Sequence, residues 1–376
     1  MRILIDLTSL VDNFSGIERY AASIAYNMIK QDKNQYILIF KNEIHCMFRE
    51  YVNKDNIEIV IIQGGNKLIF NQFKLPNIIR KKRADWYLFM AFPVPVLLFK
   101  KNMISTIHDI CCWDCPKTME RYSEIYFKIS HIIAVKKCKY ILTISEFSED
   151  RIVNKINYPR EKIWRIYCGI DKKFYNFMNS TEFMKEISEK YNLPDKYILS
   201  LSTLEPRKNL RLLIEAYREL VIEYNVETKL VLAGRKGWKV DEILDGIEES
   251  VKKRIIFTGF IDDNDLPYIY GNAYIFVFSS MYEGFGMPPL EAMSTGTLVV
   301  SSNAASMPEI LGDSAIYFEN QDKESLKKKI HYALNLDNVT RSKYIKSGFE
   351  NVKKYSWKKE ADKLLKLLYS NFKIEK

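Results

Sequence analysis

Short apolar runs alternate with helix-length segments along almost the whole of this 376-residue chain, and this alternation is the feature that most constrains its fold. In the first half the runs predict strands at residues 3–5, 36–40, 57–62, 103–107 and 140–144. In the second half they predict strands at residues 197–202, 229–233, 255–258, 274–278, 298–301 and 315–318. Continuous apolar strands separated by helices are typical of parallel sheets that are covered on both faces. The sequence therefore predicts the α/β class with two successive sheets.

A polar stretch at residues 171–194 lies between the two sets of strands and indicates a domain boundary. We predict a first domain at residues 1–175 and a second at residues 176–355, a division that suits the length of the chain. The amphipathic pattern at residues 357–372 predicts a last helix, taken with its flanks as residues 356–376.

Composition excludes several classes of protein. Hydrophobic residues make up 47% of the chain and charged residues 28%, which excludes disordered, collagen-like and coiled-coil chains. The apolar start at residues 3–5 ends at Asp6 and is too short for a secretory signal. The longest apolar run, residues 86–99, contains two prolines and is too short for a membrane span. We interpret it as a buried strand and loop, with a shallow membrane contact as the alternative. We expect a cytoplasmic protein whose cysteines are reduced.

The formal net charge of +10 is the next constraint, with basic runs at residues 80–83 and 136–139. Such an excess suits an anionic substrate, a nucleic acid or an anionic membrane surface without choosing among them. The two runs fit either a peripheral contact with the inner face of the cytoplasmic membrane or a solvated basic face. The sequence shows no recognised nucleic-acid-binding motif, so we expect no nucleic-acid partner.

The most informative segment is residues 279–308, which follows a predicted strand. Its loop Glu283-Gly284-Phe285-Gly286 lets the backbone approach a ligand closely, and the two prolines that come next suit the first turn of a helix. Amide groups at a helix start favour a phosphate. Glu283 and Glu291 are carboxylates in ligand-facing positions, where sugar or ribose hydroxyls can donate to them. The alternative is a solvated loop glutamate and a glutamate that only interacts favourably with the helix dipole.

Two cations, a histidine and a glycine follow other predicted strands. Arg207 and Lys208 lie in the segment LSTLEPRKNL and can neutralise a diphosphate, although an isolated pair of this kind is often an ordinary basic loop. His108 follows the strand at residues 103–107, and Gly16 follows the first strand. Because ligands of open parallel sheets bind at the carboxyl ends of strands, all four positions are candidates.

Together these segments resemble the retaining glycosyltransferases of family GT4. The signature is the pair Glu283 and Glu291 within EGFGMPPLEAMSTGTLVVSS, with seven residues between the two carboxylates. Other segments resemble the family in the same order, namely SGIERYA, HDI, TISEFSEDRI, CGID, LSTLEPRKNLRLLIEAY, LAGRKGW and FTGFI. The resemblance runs from about Met1 to Phe318 and continues weakly into the last helix.

The resemblance implies the GT-B architecture, in which two Rossmann-like domains face each other across a cleft and the last helix crosses back to the first domain. The first domain would hold the acceptor, and the second would bind the nucleotide-sugar donor. No metal or other cofactor is expected, because a helix dipole and basic side chains take the role of a divalent ion. The implied reaction moves a hexose with retention, best matched by mannose from GDP-mannose, to a glycan or lipid-linked acceptor in polysaccharide or lipopolysaccharide synthesis.

The resemblance also implies a role for each candidate residue. Glu283 would bind hydroxyls of the donor sugar, and Glu291 would bind the ribose diol. Lys208 matches a diphosphate-binding lysine, and Arg207 would supply the charge of an arginine that many members carry where Ser202-Thr203 stand here. The catalytic set is His108, Arg207, Lys208 and Glu283. The donor-binding set, in which Gly259 and Phe260 match the loop beside the base, is Gly16, Gly259, Phe260, Gly284, Phe285, Gly286 and Glu291.

Three rival interpretations use the same residues differently. A UDP-sugar donor stays open, because backbone groups read most of the base in this family. A non-transferase of the same architecture, such as a nucleotide-sugar epimerase, fits the fold but fits the two-glutamate segment poorly. A glycoside hydrolase would also use two carboxylates, but it would leave the basic pair and the glycine loop unexplained.

Overall fold

The computed structural model describes residues 1–11, 16–66, 69–175, 181–235 and 243–373. The chain forms two compact units. The first unit comprises Met1–Pro116, Glu120–Gly169 and Tyr355–Lys376, and the second comprises Lys117–Met119 and Ile170–Lys354. The predicted boundary after residue 175 adjoins residues 176–180, which lie outside the described residues.

The first unit is built on a parallel sheet with the strand order β3-β2-β1-β4-β5-β6-β7. Its strands are β1 (Arg2–Asp6), β2 (Gln35–Lys41), β3 (Ile57–Ile62), β4 (Trp86–Phe89), β5 (Met103–Thr106), β6 (Tyr140–Thr143) and β7 (Ile163–Arg165). Strands such as β4 are buried along their whole length. This burial explains why they appear in the sequence as continuous apolar runs rather than as alternating patterns.

The second unit repeats the plan with the strand order β10-β9-β8-β11-β12-β13, again with parallel pairing. Its strands are β8 (Tyr197–Leu201), β9 (Lys229–Ala233), β10 (Ile255–Gly259), β11 (Ile275–Phe278), β12 (Leu298–Ser302) and β13 (Ile316–Phe318). Two parallel sheets whose strands alternate with helices confirm the predicted α/β class.

Helices connect the strands in both units. In the first unit they are α1 (Gly16–Gln31), α2 (Leu75–Lys81), α3 (Cys111–Asp114), α4 (Arg121–Lys137) and α5 (Glu146–Ile156). In the second they are α6 (Thr181–Tyr191), α7 (Leu210–Tyr224), α8 (Glu249–Lys252), α9 (Leu266–Gly271), α10 (Met287–Ser294), α11 (Met307–Leu311), α12 (Lys323–Leu334) and α13 (Asn338–Val352). The last helix, α14 (Trp357–Lys373), belongs to the first unit. None of the described helices is both long enough and apolar enough to serve as a membrane-spanning segment.

The last helix returns to the first unit, as the resemblance implied, and packs along α1. Asn34 Nδ2 donates to the Tyr369 hydroxyl at 2.7 Å, and the Tyr140 hydroxyl donates to Asn371 Oδ1 at 2.6 Å. Gly169 lies so close to this helix that a Cβ there would come within 2.2 Å of the backbone nitrogen of Trp357. The helix is therefore an integral part of the first unit.

The structure corrects two predictions from the apolar pattern. The three-residue strand β7 was not predicted, because so short a run gives no periodic signal. The run at residues 86–99 was interpreted as a buried strand and loop, with a shallow membrane contact as the alternative. It forms the buried strand β4, but Val96, Leu97 and Phe99 in the following loop are exposed.

Candidate functional site

The strand order of the second sheet reverses between the neighbouring strands β8 and β11. Open parallel sheets bind ligands beside such a reversal, outside the carboxyl ends of the strands. The loop after β8 carries Arg207 and Lys208, and the loop after β11 carries Glu283. The topology therefore brings together side chains that lie about 75 residues apart in the sequence.

An ion cluster formed by Arg207, Lys208 and Glu283 joins these two loops. Lys208 Nζ lies 2.5 Å from Glu283 Oε1, and Arg207 Nη1 lies 2.9 Å from Glu283 Oε2. Arg207 also donates to the Tyr282 carbonyl at 2.8 Å, and its Nη2 pairs with Glu205 at 2.9 Å. Because each carboxylate oxygen of Glu283 faces a different cation, the carboxylate is held in one orientation.

Burial controls the ionisation of this cluster. The side chains of Glu283 and Lys208 are 11% and 13% exposed. Burial alone would raise the pKa of Glu283, but Arg207 and Lys208 outweigh it and lower the pKa to about 2. Burial and the adjacent Arg207 lower the pKa of Lys208. At neutral pH Glu283 is therefore ionised, and Lys208 releases its proton more readily than an exposed lysine does.

Serine hydroxyls hold the two loops in place. Ser280 Oγ donates to Glu283 Oε1 at 2.7 Å, and Ser306 Oγ donates to the Glu283 carbonyl at 2.9 Å. Ser279 Oγ donates to the Lys208 carbonyl at 2.8 Å, which ties the loop after β11 to the loop after β8. These bonds position the cations and the carboxylate before any ligand arrives.

The loop after β11 ends at Gly286, which caps α10. Gly286 has a φ of +87°, and a Cβ there would lie 2.4 Å from the Met307 side chain, so glycine is required. Pro288 and Pro289 occupy the first turn of α10 and have no N–H to donate. Amide donors at this helix end therefore come from residues before Pro288, which include Gly284, Phe285 and Gly286, whose N–H groups are predicted to face the donor sugar.

Glu291 is held by a different set of contacts. It lies within α10 and is 5% exposed. The hydroxyl of Tyr270, in α9, donates to Glu291 Oε2 at 2.9 Å, and the Tyr270 carbonyl accepts from Thr297 Oγ1 at 2.6 Å. Tyr270 therefore orients Glu291 from the neighbouring helix.

The loops after β9 and β10 place a cation beside an aromatic ring. The Arg235 guanidinium lies 4.6 Å from the ring centre of Phe260, which is 42% exposed. The N–H of Gly234 donates to the Gly259 carbonyl at 2.9 Å. Gly234 has a φ of +137°, and a Cβ there would lie 1.9 Å from the Ser202 carbonyl oxygen. An exposed aromatic face with an adjacent cation suits a nucleobase.

His108 and Gly16 belong to the first unit. His108 Nε2 lies 2.9 Å from the Met90 carbonyl, which can only accept, so the Nε2 position carries the proton. Burial lowers the pKa of His108, which keeps the ring neutral at pH 7. Its ring packs edge-on against Tyr20 at 5.1 Å between centres. Gly16 begins α1, whereas the preceding Ser15 lies outside the described residues.

Four residues that complete these sites were not predicted from the sequence, namely Arg235, Tyr270, Ser280 and Ser306. Ser280 and Ser306 resemble ordinary loop serines until the fold places them against the Glu283 carboxylate and carbonyl. Tyr270 lies about twenty positions before its partner, a separation that no short motif covers. Arg235 stands within the quoted segment LAGRKGW, so that segment was the available signal for it.

Comparison with protein families and curated proteins gives matches across both units. Residues 14–174 match the family described as Glycosyltransferase Family 4, and residues 183–351 match Glycosyl transferases group 1. The O-antigen chain mannosyltransferase B of Escherichia coli is 35% identical over 68% of this chain and 67% of its own length. The serotype-specific mannosyltransferase WbdA of Escherichia coli is 32% identical over 55% of this chain, a match that spans 26% of WbdA.

A solved structure supports the fold. HepE of Anabaena, in complex with UDP-glucose, aligns with a TM-score of 0.73 over 98% of this chain and 100% of its own, at 15% identity. This likeness concerns the fold alone, which is that of the GT-B glycosyltransferases. The two family matches, together with the 35% identity to a relative over two thirds of both chains, show that this chain belongs to glycosyltransferase family 4.

Proposed function

We propose that this chain transfers a hexose from a nucleotide-diphosphate sugar to a hydroxyl of a glycan or lipid-linked acceptor in polysaccharide synthesis, with retention at the anomeric carbon. The observation that carries the proposal is the ion cluster at the reversal of the second sheet. Two cations and one carboxylate at a single strand edge suit a substrate that combines a diphosphate with sugar hydroxyls.

Charge separation is the main barrier to such a transfer, because positive charge develops on the sugar ring and negative charge on the leaving diphosphate. The Tyr282 carbonyl holds the Arg207 guanidinium and Ser279 holds the Lys208 backbone, so both cations lie at the strand edge where the departing anion would be stabilised. Removing one preorganised donor of this kind typically costs about 3–4 kcal/mol of transition-state stabilisation. Both cations pair with Glu283. A bound diphosphate would replace that carboxylate and leave Glu283 to accept from the sugar hydroxyls.

The remaining residues have positioning roles in this proposal. Glu291, oriented by Tyr270, would accept from the ribose diol, and Phe260 with Arg235 would lie against the base. The bond from the anomeric carbon to the phosphate oxygen breaks, and the bond to the acceptor oxygen forms on the same face. The acceptor proton passes to the departing phosphate oxygen. Since Arg207 and Lys208 supply the positive charge, we propose that no divalent metal is required, and activity in EDTA tests this point.

Mannose from GDP-mannose is the donor that we propose, supported by the mannosyltransferases among the relatives. A UDP-hexose is the second candidate, because HepE, which shares the fold, is seen with UDP-glucose. Incubation of the chain with a panel of nucleotide sugars, with mass-spectrometric detection of released sugar, names the donor without any acceptor. We expect GDP-mannose to be consumed fastest, and faster consumption of another nucleotide sugar would contradict mannose as the donor.

Lys208→Ala tests the role of the ion cluster. We expect turnover to fall by roughly 100- to 1,000-fold, because the variant loses a donor to the leaving diphosphate while Arg207 still holds Glu283. The measurement is the rate of donor consumption at saturating donor, with thermal unfolding as a check on folding.

Lys353→Ala is the matched control, because Lys353 also pairs with a glutamate, Glu350, but in an exposed contact of the same unit. It should leave turnover unchanged. A Lys208→Ala protein that turns over at the wild-type rate would refute the assigned role.

A further inference from the structure

A surface turn of the first unit carries apolar side chains where polar ones are usual. The N–H of Leu98 donates to the Pro95 carbonyl at 3.2 Å and closes the turn. Turns are dominated by Gly, Pro, Asn, Asp and Ser, and this turn has Pro95 at its start. Here Val96 and Leu97 are each 41% exposed, and Phe99, which follows, is 72% exposed. We call residues 95–99 the apolar turn.

The apolar turn is anchored to the core of the first unit. Val94, just before it, and Leu98, within it, are 2% and 0% exposed and belong to the core cluster of this unit. Buried and exposed apolar residues therefore lie within a few positions of one another in this segment. The exposure of Val96, Leu97 and Phe99 is thus a property of a fixed turn, because their neighbours hold the backbone in place.

Four backbone polar groups of the apolar turn are paired with side chains behind it. The N–H of residue 96 donates to Gln72 Oε1 at 2.9 Å. Lys137 Nζ donates to the carbonyls of residues 96 and 98, and the Arg80 guanidinium donates to the carbonyl of residue 97. A backbone group that leaves water without a partner is costly, because hydrocarbon offers none. The tip of the turn can therefore enter an apolar medium with these groups already satisfied.

Positive charge surrounds the apolar turn. The turn and the segments that supply its partners, residues 69–83, 93–102 and 132–139, contain ten Lys or Arg residues and no Asp or Glu. The excess of basic over acidic residues in the whole chain is also ten, so the remainder of the sequence is balanced. Phe73, next to Gln72, adds another apolar side chain that is 62% exposed.

We propose that the apolar turn docks the first unit onto the surface of an anionic lipid bilayer. The side chains of Val96, Leu97 and Phe99 enter the boundary between headgroups and acyl chains, and the surrounding cations meet lipid phosphates. A second copy of this chain would bring two basic surfaces into contact, which opposes self-association through this face. The inference rests on the first unit alone and does not depend on the sugar transfer proposed above.

Co-sedimentation with lipid vesicles tests the proposal. We expect the wild-type chain to bind vesicles of phosphatidylglycerol and phosphatidylcholine at low salt and to bind pure phosphatidylcholine weakly. Leu97→Ser and Phe99→Ser should each weaken binding by at least about tenfold, because each removes a large apolar side chain from the interface. Lys81→Gln combined with Arg83→Gln should weaken it by about fivefold per charge.

Val339→Ser is the matched control, because Val339 is 66% exposed but lies in the second unit. It should bind anionic vesicles as the wild type does, and donor consumption in solution should be unchanged in Leu97→Ser. Wild-type vesicle binding by Leu97→Ser and Phe99→Ser would overturn the proposal. Equal binding to neutral vesicles would overturn it as well. The proposal would also be overturned by variants that still bind vesicles but show a loss of self-association in light scattering.

Discussion

At the scale of single residues, Glu283 has the most constrained ionisation in the candidate site. Its pKa is lowered from an ordinary value of 4.5 to about 2, because the effect of Arg207 and Lys208 exceeds that of burial. A carboxyl group whose pKa is lower in the folded state stabilises the fold above its unfolded pKa. That stabilisation is lost as the pH falls from about 4.5 toward 2.

Glu283→Gln should therefore flatten the acid dependence of stability. Between pH 6 and pH 3 the wild-type free energy of unfolding should fall by about 2 kcal/mol more than that of the variant. Urea denaturation at a series of pH values measures this difference. Glu350→Gln, which removes the carboxylate of an exposed ion pair with Lys353, should keep the wild-type pH dependence. Parallel wild-type and Glu283→Gln curves would show that the ion cluster does not control the carboxyl group.

The identities of these residues were predictable from the sequence, but their pairing was not. The glycine loop, the two glutamates and the basic pair were recognised from local motifs. The direct contact of Glu283 with Arg207 and Lys208 depends on β8 and β11 being neighbours. Strand order is set by long-range packing, so it leaves no local signal in the sequence.

At the scale of elements, the sharp turn after β9 depends on Gly234. Its φ of +137° is unfavourable for other residues, and the space for a Cβ is taken by the Ser202 carbonyl oxygen. The same turn carries Arg235 to the ring of Phe260. The geometry of this loop therefore depends on a backbone that cannot shift without moving the exit of β8.

Gly234→Ala should destabilise the chain more than Gly246→Ala does. Both glycines have positive φ, but a Cβ at Gly246 meets nothing within 4 Å. We expect Gly246→Ala to cost about 1–2 kcal/mol from backbone strain, and Gly234→Ala to cost at least about 1 kcal/mol more from the added clash. Urea denaturation measures both. Equal losses would mean that the Ser202 carbonyl moves aside freely.

The buried parallel strands were the most predictable elements. Runs such as Ile275–Phe278 are entirely apolar, which is a strong local signal. The apolar turn at residues 95–99 shows the limit of this reasoning. Its residue types are those of a core, and only the packing of α2 and the end of α4 behind it leaves Val96, Leu97 and Phe99 at the surface.

At the scale of the whole molecule, the chain divides into two units with separate cores. Leu364 in α14 and Leu326 in α12 are both fully buried, but they belong to different units. Replacing either with alanine should cost about 2–5 kcal/mol locally. Comparing the two variants therefore tests whether α14 stabilises the first unit.

Hydrogen exchange resolved by segment should distinguish these two variants. We expect Leu364→Ala to raise exchange in α1, because α14 packs along it, and to leave β12 protected. We expect Leu326→Ala to raise exchange in β12 and to leave α1 protected. An increase of exchange confined to β12 in Leu364→Ala would contradict the assignment of the last helix to the first unit.

The return of α14 also sets an order of events during synthesis. The ribosome completes every strand of the second unit before it releases the helix that covers α1. The unit that emerges second can therefore mature first, while α1 still lacks the helix that packs along it. During that interval the surface of α1 that α14 later covers stays accessible to solvent, and we expect a chaperone that binds incompletely folded chains to act at this stage.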